Sequence, residues 1–208
     1  MSKDIGMEVM ASSNEVPGDS EKASALSEND HIPGKIAHHC GQASLSLCYS
    51  LGLPQRLGIT TLGYKDTKAV TLDEIVHHTR AVARAYKTGF LLANLPLGSY
   101  ENYRESAIKL VKEGGAHGVK LEGGRDMACT IRAISKAGVP VIGHIGLTVQ
   151  RDLDASKEAD DGSEVLEDAK SVQDAGAVAV LVETMTPRAA DSITKALKIP
   201  TIGIGSGP

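Results

Sequence analysis

The stretch Gly118–Gly124 has the sequence Gly-Val-Lys-Leu-Glu-Gly-Gly. In an extended strand its side chains alternate, so Val119 and Leu121 share one face while Lys120 and Glu122 share the other. A helical pattern ends just before this stretch, and another begins just after it. The stretch is therefore predicted to be a β-strand within a series of alternating helices and strands. It carries a cation and an anion at its C-terminal end.

The same alternation extends through most of the chain. Short apolar runs of the kind found in buried parallel strands are separated by segments with helical periodicity. Thr71 and Glu74 form a capping box that marks a helix start, and Gly114 is a candidate C-cap. Besides the first stretch, strands are predicted at residues 89–94, 139–144, 178–183 and 200–205, and helices at 71–86, 101–113, 125–136, 164–175 and 187–197.

Strands and helices that alternate with short connections indicate parallel strands joined by right-handed crossovers. An α/β barrel and an open doubly wound sheet both fit this rhythm. Polar residues end four of the predicted strands, at Asn94, Glu122, His144 and Glu183. Because barrel enzymes place their chemistry at the C-terminal ends of the strands, this pattern favours the (β/α)8 barrel.

The first seventy residues have weaker patterns. Residues 1–30 hold seven acids and two lysines, and we expect an acidic, disordered tail. Within 31–70, a short strand is predicted at Lys35–His38 and a helix at Ala43–Ser50. Leu53–Leu57 lacks the continuous apolar run of a doubly buried strand. The barrel domain is therefore predicted to span 31–208, with a degenerate segment before residue 57.

Composition excludes several classes of protein. The net charge is −4, and no basic stripe with interleaved aromatics is present, so nucleic acid is not an expected partner. No apolar run reaches the roughly 18 residues of a membrane span. The N-terminal segment has neither the apolar core of a secretion signal nor the arginines of a mitochondrial presequence. We expect a cytoplasmic protein, and a mitochondrial location stays open.

The three cysteines contain no CxxC pair. His38, His39, Cys40 and Cys48 could be grouped as a zinc site, but their spacing matches no common zinc pattern. Ordinary reduced thiols are the favoured interpretation.

Five polar residues should converge on one mouth of the barrel: Asn94, Lys120, Glu122, His144 and Glu183. Carboxylate and amide oxygens suit Mg²⁺, which keeps several waters. A bound divalent ion could chelate a 2-oxo acid and stabilise an enolate, and a carboxylate on another strand could remove the proton. The set predicts carbon–carbon bond chemistry next to a carbonyl.

Several motifs together resemble the ketopantoate hydroxymethyltransferase family, and the middle segments look most like its fungal members. The resemblance covers about residues 57–207, in order. The motifs are Val70–Glu74, Asn94–Tyr100, Val119–Gly124, Gly143–Thr148, Leu181–Glu183 and Ile199–Gly207.

The resemblance implies a (β/α)8 barrel of the phosphoenolpyruvate mutase and isocitrate lyase type. It implies transfer of a hydroxymethyl group from 5,10-methylenetetrahydrofolate to 2-oxoisovalerate, which gives ketopantoate for pantothenate synthesis. By motif position, Glu122 corresponds to a glutamate associated with Mg²⁺, and Glu183 to the base for the C3 proton. Lys120 corresponds to the substrate-binding lysine, and His144 to the histidine at the mouth. Together with Asn94, these two are the residues expected to bind substrate here.

Departures from the family pattern concentrate at the metal site. Asn94 stands where the family usually has a metal-binding aspartate. A second aspartate is expected near Gln55 and Arg56, and it is missing whether or not a gap is placed there. We therefore expect weakened Mg²⁺ binding. His38-His39 replaces a Tyr-Asp or His-Asp pair of the first strand, Val149 replaces a proline, and residues 151–163 form a shorter acidic loop.

Three functional interpretations stay open. The chain is a hydroxymethyltransferase of reduced activity, a diverged metal-independent lyase or cyclase on the same barrel, or an inactive assembly subunit. By the strand count of the family's barrel, the second strand is degenerate and the sequence closes at Pro208 after the seventh, without an eighth, so an incomplete barrel that forms a homo-oligomer is expected. Gly203–Gly207 could cradle a phosphate, but a tight turn close to the substrate is favoured.

Overall fold

A computed structural model describes residues 49–51, 56–85, 89–99, 102–148 and 162–206, with only the backbone of 49–51 and 56. Six parallel strands form one sheet in the order β1-β2-β3-β4-β5-β6. The strands are β1 (Tyr49–Leu51), β2 (Leu91–Asn94), β3 (Gly118–Glu122), β4 (Val141–Gly146), β5 (Ala179–Glu183) and β6 (Thr201–Ile204).

Five α-helices connect the described strands. They are α1 (Leu72–Ala85), α2 (Tyr103–Lys112), α3 (Ala128–Lys136), α4 (Ser163–Asp174) and α5 (Pro187–Ala196). A π-helical segment at Arg56–Thr61 precedes α1, and a 3₁₀ turn at Arg125–Met127 precedes α3. No helix of the described residues is long and apolar enough to cross a membrane.

The two faces of the sheet are covered differently. The larger hydrophobic core lies between the helices and the outward-facing strand residues, such as Val119, Leu121 and Val180. A smaller apolar cluster lies on the other face and contains no helix residue: Phe90, Leu92, Ile142, Ala179, Leu181 and Ile202, with Val178 and Ile204 packed against it. Among the described residues the helices therefore cover one face only.

Sequential strand order and one-sided helices distinguish the two folds that the sequence left open. A doubly wound sheet has helices on both faces and a reversal in its strand order. A (β/α)8 barrel has neither, because its inner face packs against itself. The barrel prediction is therefore confirmed, and the described strands form a curled, incomplete barrel.

Most predicted elements are confirmed with small shifts at their ends. The capping box at α1 is present, since the Thr71 backbone N–H donates to the Glu74 carboxylate at 2.8 Å and the Glu74 N–H donates to the Thr71 hydroxyl at 3.3 Å. After α2 the left-handed residue is Gly115, with φ of 79°, so the C-cap expected at Gly114 lies one position too early.

One prediction for the N-terminal part of the chain is wrong, and the others fall on residues that the structure does not describe. Tyr49 and Ser50, assigned to the end of a helix, instead lie in β1, where they pair with Leu91 and Leu92 of β2. A local pattern of so few residues is readily overridden by pairing with a distant strand. The predicted acidic tail, the strand at 35–38 and the His38–Cys48 cluster all lie outside the described residues.

Candidate active site

Four polar side chains of the inner face are almost fully buried. Asn94 ends β2, Lys120 and Glu122 lie on β3, and His144 lies on β4, each at most 1% exposed. Glu183, which ends β5, is more accessible, with 13% of its side chain exposed. The sequence prediction that these five residues share one face and one end of the sheet is consistent with these positions.

Strand register explains why they meet. Asn94 lies beside Lys120 in the pairing of β2 with β3, and Glu122 lies beside His144 in the pairing of β3 with β4. Because inward side chains recur at every second residue of a strand, the last inward positions of neighbouring parallel strands form one polar layer. The apolar cluster of the inner face lies beneath this layer.

A row of neighbouring side chains crosses the layer, formed by Lys120, His144 and Glu183. Nζ of Lys120 lies 3.2 Å from Nδ1 of His144, and Nε2 of His144 lies 3.0 Å from Oε2 of Glu183. These last two atoms are not aligned as a hydrogen bond, and neither has another hydrogen-bonding partner in the described structure. The imidazole thus connects a buried cation to a partly exposed carboxylate.

The surroundings of the two ring nitrogens indicate the protonation state of His144. Burial lowers the pKa of His144, and the positive charge of Lys120 lowers it further, while Glu183 and Glu122 oppose these effects. An ammonium group only donates hydrogen bonds, so Nδ1 must accept, and the ring proton is placed on Nε2. His144 is therefore a neutral imidazole whose N–H faces Glu183.

Glu122 lies at the other edge of the imidazole. Its Oε1 is 3.7 Å from Nδ1 of His144, which is too long for a hydrogen bond. The two carboxylates thus flank opposite nitrogens of one ring. Only Glu183 combines this position with access to solvent, which is the arrangement required of a base acting on a bound molecule.

The backbone around Glu183 is fixed from two sides. Leu147 N–H donates to the Glu183 carbonyl at 3.0 Å, and Thr184 N–H donates to the Ile204 carbonyl at 2.8 Å. Thr184 has φ of 55°, a left-handed conformation that non-glycine residues rarely adopt. Such strain persists only where the surrounding structure holds it, and it often occurs at functional sites.

The described part of the Gly203–Gly207 motif, residues 203–206, ends in a turn that is bonded to β5. Gly205 has φ of 59°, and the hydroxyl of buried Ser206 bonds to backbone groups of Val182 and Met185. The favoured interpretation, a tight turn at the mouth of the barrel, is thus compatible with the observed contacts. The importance of Ser206 was missed, and its only signal in the sequence is a hydroxyl between two glycines at a strand end.

A cavity of about 350 Å³ opens beside the polar layer, between the ends of β3 and β4 and helix α4. None of the five polar residues lines it; Gly123 and Ile145, which do, directly follow Glu122 and His144 in the sequence. Its lining residues are Gly123, Gly124, Asp126, Ile145, Gly146, Thr148, Val165 and Asp168. Asp126 and Asp168 were not predicted; Asp168 accepts bonds from the backbone and side chain of Arg125 at 3.0 and 2.8 Å.

The described residues offer few metal ligands. No cluster of three or more His, Cys, Asp or Glu side chains in them could hold an ion. The oxygen donors of the polar layer are the Asn94 amide and the carboxylates of Glu122 and Glu183, the last two separated by the imidazole of His144. Residues 31–65, which include β1, contain no Asp or Glu at all. This donor set is poorer than that of a tight Mg²⁺ site.

A curled parallel sheet whose inward strand ends carry a lysine, a histidine and two glutamates defines an α/β-barrel enzyme. A family model described as ketopantoate hydroxymethyltransferase matches residues 14–208. The chain belongs to the ketopantoate hydroxymethyltransferase family.

Curated relatives from bacteria and a fungus share this family. A 3-methyl-2-oxobutanoate hydroxymethyltransferase of Thermoanaerobacter sp. (strain X514) is 39% identical over 197 residues, covering 90% of this chain and 70% of the relative. One from Emericella nidulans is 47% identical over 161 residues, covering 73% of this chain but 46% of the relative. One from Leifsonia xyli subsp. xyli is 46% identical over 158 residues, covering 72% of this chain and 57% of the relative.

Solved structures confirm the type of barrel. A 2,3-dimethylmalate lyase, a member of the PEP mutase/isocitrate lyase superfamily, superposes with a TM-score of 0.58 at 13% identity, covering 81% of this chain and 60% of that chain. A phosphonopyruvate hydrolase superposes with a TM-score of 0.56 at 17% identity, covering 83% of this chain and 63% of that chain. At such low identity these structures establish the fold alone.

Proposed function

We propose that this chain binds 3-methyl-2-oxobutanoate (2-oxoisovalerate) in the mouth of its barrel and catalyses transfer of a hydroxymethyl group to C3, giving ketopantoate. The proposal depends on one observation, the row of neighbouring side chains from Lys120 through His144 to Glu183. The names of the curated relatives support it. The one-carbon donor implied by the resemblance is 5,10-methylenetetrahydrofolate.

Lys120 supplies the positive charge for the oxo acid. Lys120 is 1% exposed, so a bound carboxylate or enolate meets its ammonium group in a low-dielectric environment where its charge acts strongly. His144 keeps one side of the ammonium occupied and limits its orientations, since Nζ and Nδ1 are 3.2 Å apart. The oxo acid thus binds against a preorganised cation.

Glu183 removes the proton from C3. The C3–H bond breaks, the proton goes to a Glu183 carboxylate oxygen, and the electron pair enters the enolate of the oxo acid. Water releases the one-carbon unit from the folate as formaldehyde, which breaks both of its C–N bonds. The enolate carbon attacks this carbonyl carbon, the π electron pair moves to the oxygen, and the resulting alkoxide takes the proton back from Glu183. Oε2 of Glu183 is buried 3.0 Å from Nε2 of His144, so the other oxygen of this carboxylate is the one that is free to accept the proton.

A divalent metal is the cofactor that the family suggests, and the donors present fit it only weakly. Asn94 and Glu122 would hold Mg²⁺ through an amide oxygen and one carboxylate, with water completing the shell. When bound, the ion would polarise the oxo group. With a neutral amide at 94 and Lys120 nearby, we expect low affinity.

Exchange of the C3 hydrogen with solvent deuterium tests this function without a one-carbon donor. 2-Oxoisovalerate is incubated in D₂O with the protein and Mg²⁺, and loss of the C3 proton signal is followed by NMR. The wild-type chain should exchange it, Glu183→Gln should not, and Glu164→Gln, an exposed acid of α4, should behave as wild type. Exchange that survives in Glu183→Gln would refute the assigned base.

Formation of ketopantoate with 5,10-methylenetetrahydrofolate then tests the complete reaction. Exchange without ketopantoate would identify a site that forms the enolate but does not transfer the one-carbon unit, as expected of a lyase on the same barrel. If the chain shows neither exchange nor transfer, the proposed activity is refuted.

A further inference from the structure

The hydroxyl of Ser206 bonds to the turn that follows Glu183. Ser206 is 1% exposed and lies two residues beyond the end of β6. Its Oγ accepts a bond from the Met185 backbone N–H at 3.1 Å and donates to the Val182 carbonyl at 3.0 Å. The Ile204 carbonyl, at 3.3 Å, is a second and longer acceptor for the same proton.

These two bonds bracket the residue that the proposed mechanism uses as its base. Val182 precedes Glu183, Thr184 follows it in the left-handed conformation, and Met185 comes next. Val182 and Met185 are 2% and 5% exposed, so their backbone groups have little access to water. One hydroxyl, as donor and acceptor, satisfies a group on each side of the strained residue.

We propose that Ser206 is a positioning residue, whose hydroxyl holds the Val182–Met185 turn so that the Glu183 carboxylate stays against His144. This rests on the proposed function of Glu183 as the base. Ser206 does not touch the substrate in this proposal and acts only through the backbone. A buried N–H and C=O would otherwise lose their partner, and the left-handed Thr184 would relax to a common conformation.

The proposal predicts a specific kinetic defect for Ser206→Ala. A carboxylate displaced by about 1 Å typically loses on the order of 100-fold in rate. We therefore expect C3 deuterium exchange to slow by about 10- to 100-fold in its maximal rate, with the KM for 2-oxoisovalerate changed by less than about threefold. Rates are expressed per folded molecule, from circular dichroism of each variant.

Thr201→Val is the matched control. Thr201 is another buried hydroxyl of the same strand segment, 4% exposed, and it bonds to the Thr194 hydroxyl at 2.9 Å. It lies at the start of β6, away from the polar layer. Thr201→Val should exchange C3 deuterium at the wild-type rate, and equal rates in Ser206→Ala and Thr201→Val would overturn the proposal.

A double variant separates positioning from general destabilisation. If Ser206 acts through Glu183, then Ser206→Ala should slow exchange less in a Glu183→Asp background, where the shortened carboxylate is already displaced, than in the wild type, because residues that act as a unit are non-additive. A further loss equal to the effect of Ser206→Ala alone would show that Ser206 acts independently of Glu183, which contradicts the proposal.

A measurement without turnover keeps this test independent of the proposed function. The ¹⁵N resonance of Nε2 in His144, assigned with His144→Gln, reports the neighbouring Glu183 carboxylate. Ser206→Ala should shift it and Thr201→Val should not, even if the chain exchanges no deuterium. An unshifted resonance in Ser206→Ala would overturn the positioning role while leaving Glu183 as the base.

One more variant covers the case in which Ser206→Ala does not fold. Glycine adopts the left-handed conformation without strain, so Thr184→Gly should restore folding in the Ser206→Ala background. A folded Thr184→Gly/Ser206→Ala protein with a shifted Nε2 resonance supports the proposal. An unshifted resonance overturns it.

Discussion

The ammonium nitrogen of Lys120 lies 3.2 Å from Nδ1 of His144, and neither side chain is more than 1% exposed. A buried ammonium group is costly unless other groups compensate its charge. The negative charges of the polar layer are the carboxylates of Glu122 and Glu183, which lie 3.7 and 3.0 Å from the two nitrogens of the same imidazole. The polar layer is therefore one electrostatic unit, in which removing one charge affects the others.

Lys120→Met should abolish exchange and destabilise the fold. The enolate would lose its cation, so C3 deuterium exchange should fall by at least about 100-fold. The buried Glu122 carboxylate would lose a compensating charge, which typically costs about 3–5 kcal/mol in the free energy of unfolding. Urea denaturation measures the stability, and NMR measures the exchange.

The matched controls for this prediction are Lys136→Met and Lys120→Met/Glu122→Gln. Lys136 is an exposed lysine at the end of α3, and its loss should leave both stability and exchange near wild type. The double variant should recover stability without recovering exchange. If Lys120→Met were as stable as Lys136→Met, the electrostatic account of the layer would be wrong.

Asn94→Asp should strengthen metal binding. A second carboxylate next to Glu122 adds a charged ligand of the type that Mg²⁺ prefers. Affinity for Mg²⁺ should rise by at least about 10- to 100-fold, the range that even indirect changes around a metal site produce. Titration calorimetry with and without 2-oxoisovalerate measures it, with Asn102→Asp, at an exposed position before α2, as control. Unchanged affinity would show that position 94 does not contribute to metal binding.

Glu74 should make stability depend on pH. Bonds from the Thr71 backbone N–H and the Tyr64 hydroxyl lower the pKa of the Glu74 carboxyl, because they favour its charged form. A lowered pKa in the folded state gives stability that is present above the unfolded pKa of about 4.5 and is lost as pH falls through the folded pKa.

Glu74→Gln should therefore flatten the acid side of the stability curve. The free energy of unfolding should decline less steeply below about pH 4.5 in this variant than in the wild type. Glu105→Gln, an exposed acid in the first turn of α2, is the control and should leave the slope unchanged. Urea denaturation at several pH values measures it, and equal slopes in all three proteins would refute the assignment.

The sequence predicted which side chains share the inner face of the sheet better than it predicted the contacts that hold them there. Alternation along β3 placed Lys120 and Glu122 on the inner face, because side-chain direction in a strand follows from position alone. The bonds of Ser206 join residues more than twenty positions apart, and no local pattern encodes them. For the same reason β1 was missed, since its three residues are defined by pairing with β2.

Gly146→Ala should damage the site beyond the usual cost of replacing a left-handed glycine. Gly146 has φ of 87°, and a Cβ there would lie 2.3 Å from the Glu183 carbonyl oxygen. Gly138 has φ of 83°, and its Cβ would meet nothing within 4 Å. Alanine in this conformation costs about 1–2 kcal/mol at either position. Only Gly146→Ala adds a clash with β5, at about 1–3 kcal/mol more.

The comparison of Gly146→Ala with Gly138→Ala isolates that clash. Both variants should lose stability in urea denaturation, but only Gly146→Ala should also displace Glu183 and slow C3 deuterium exchange. The backbone of β4 can avoid the clash only by moving away from Glu183, and this would break the bond from Leu147 N–H to the Glu183 carbonyl. If both variants catalyse C3 deuterium exchange at the same rate per folded molecule, the contact between the ends of β4 and β5 does not determine the position of the Glu183 carboxylate.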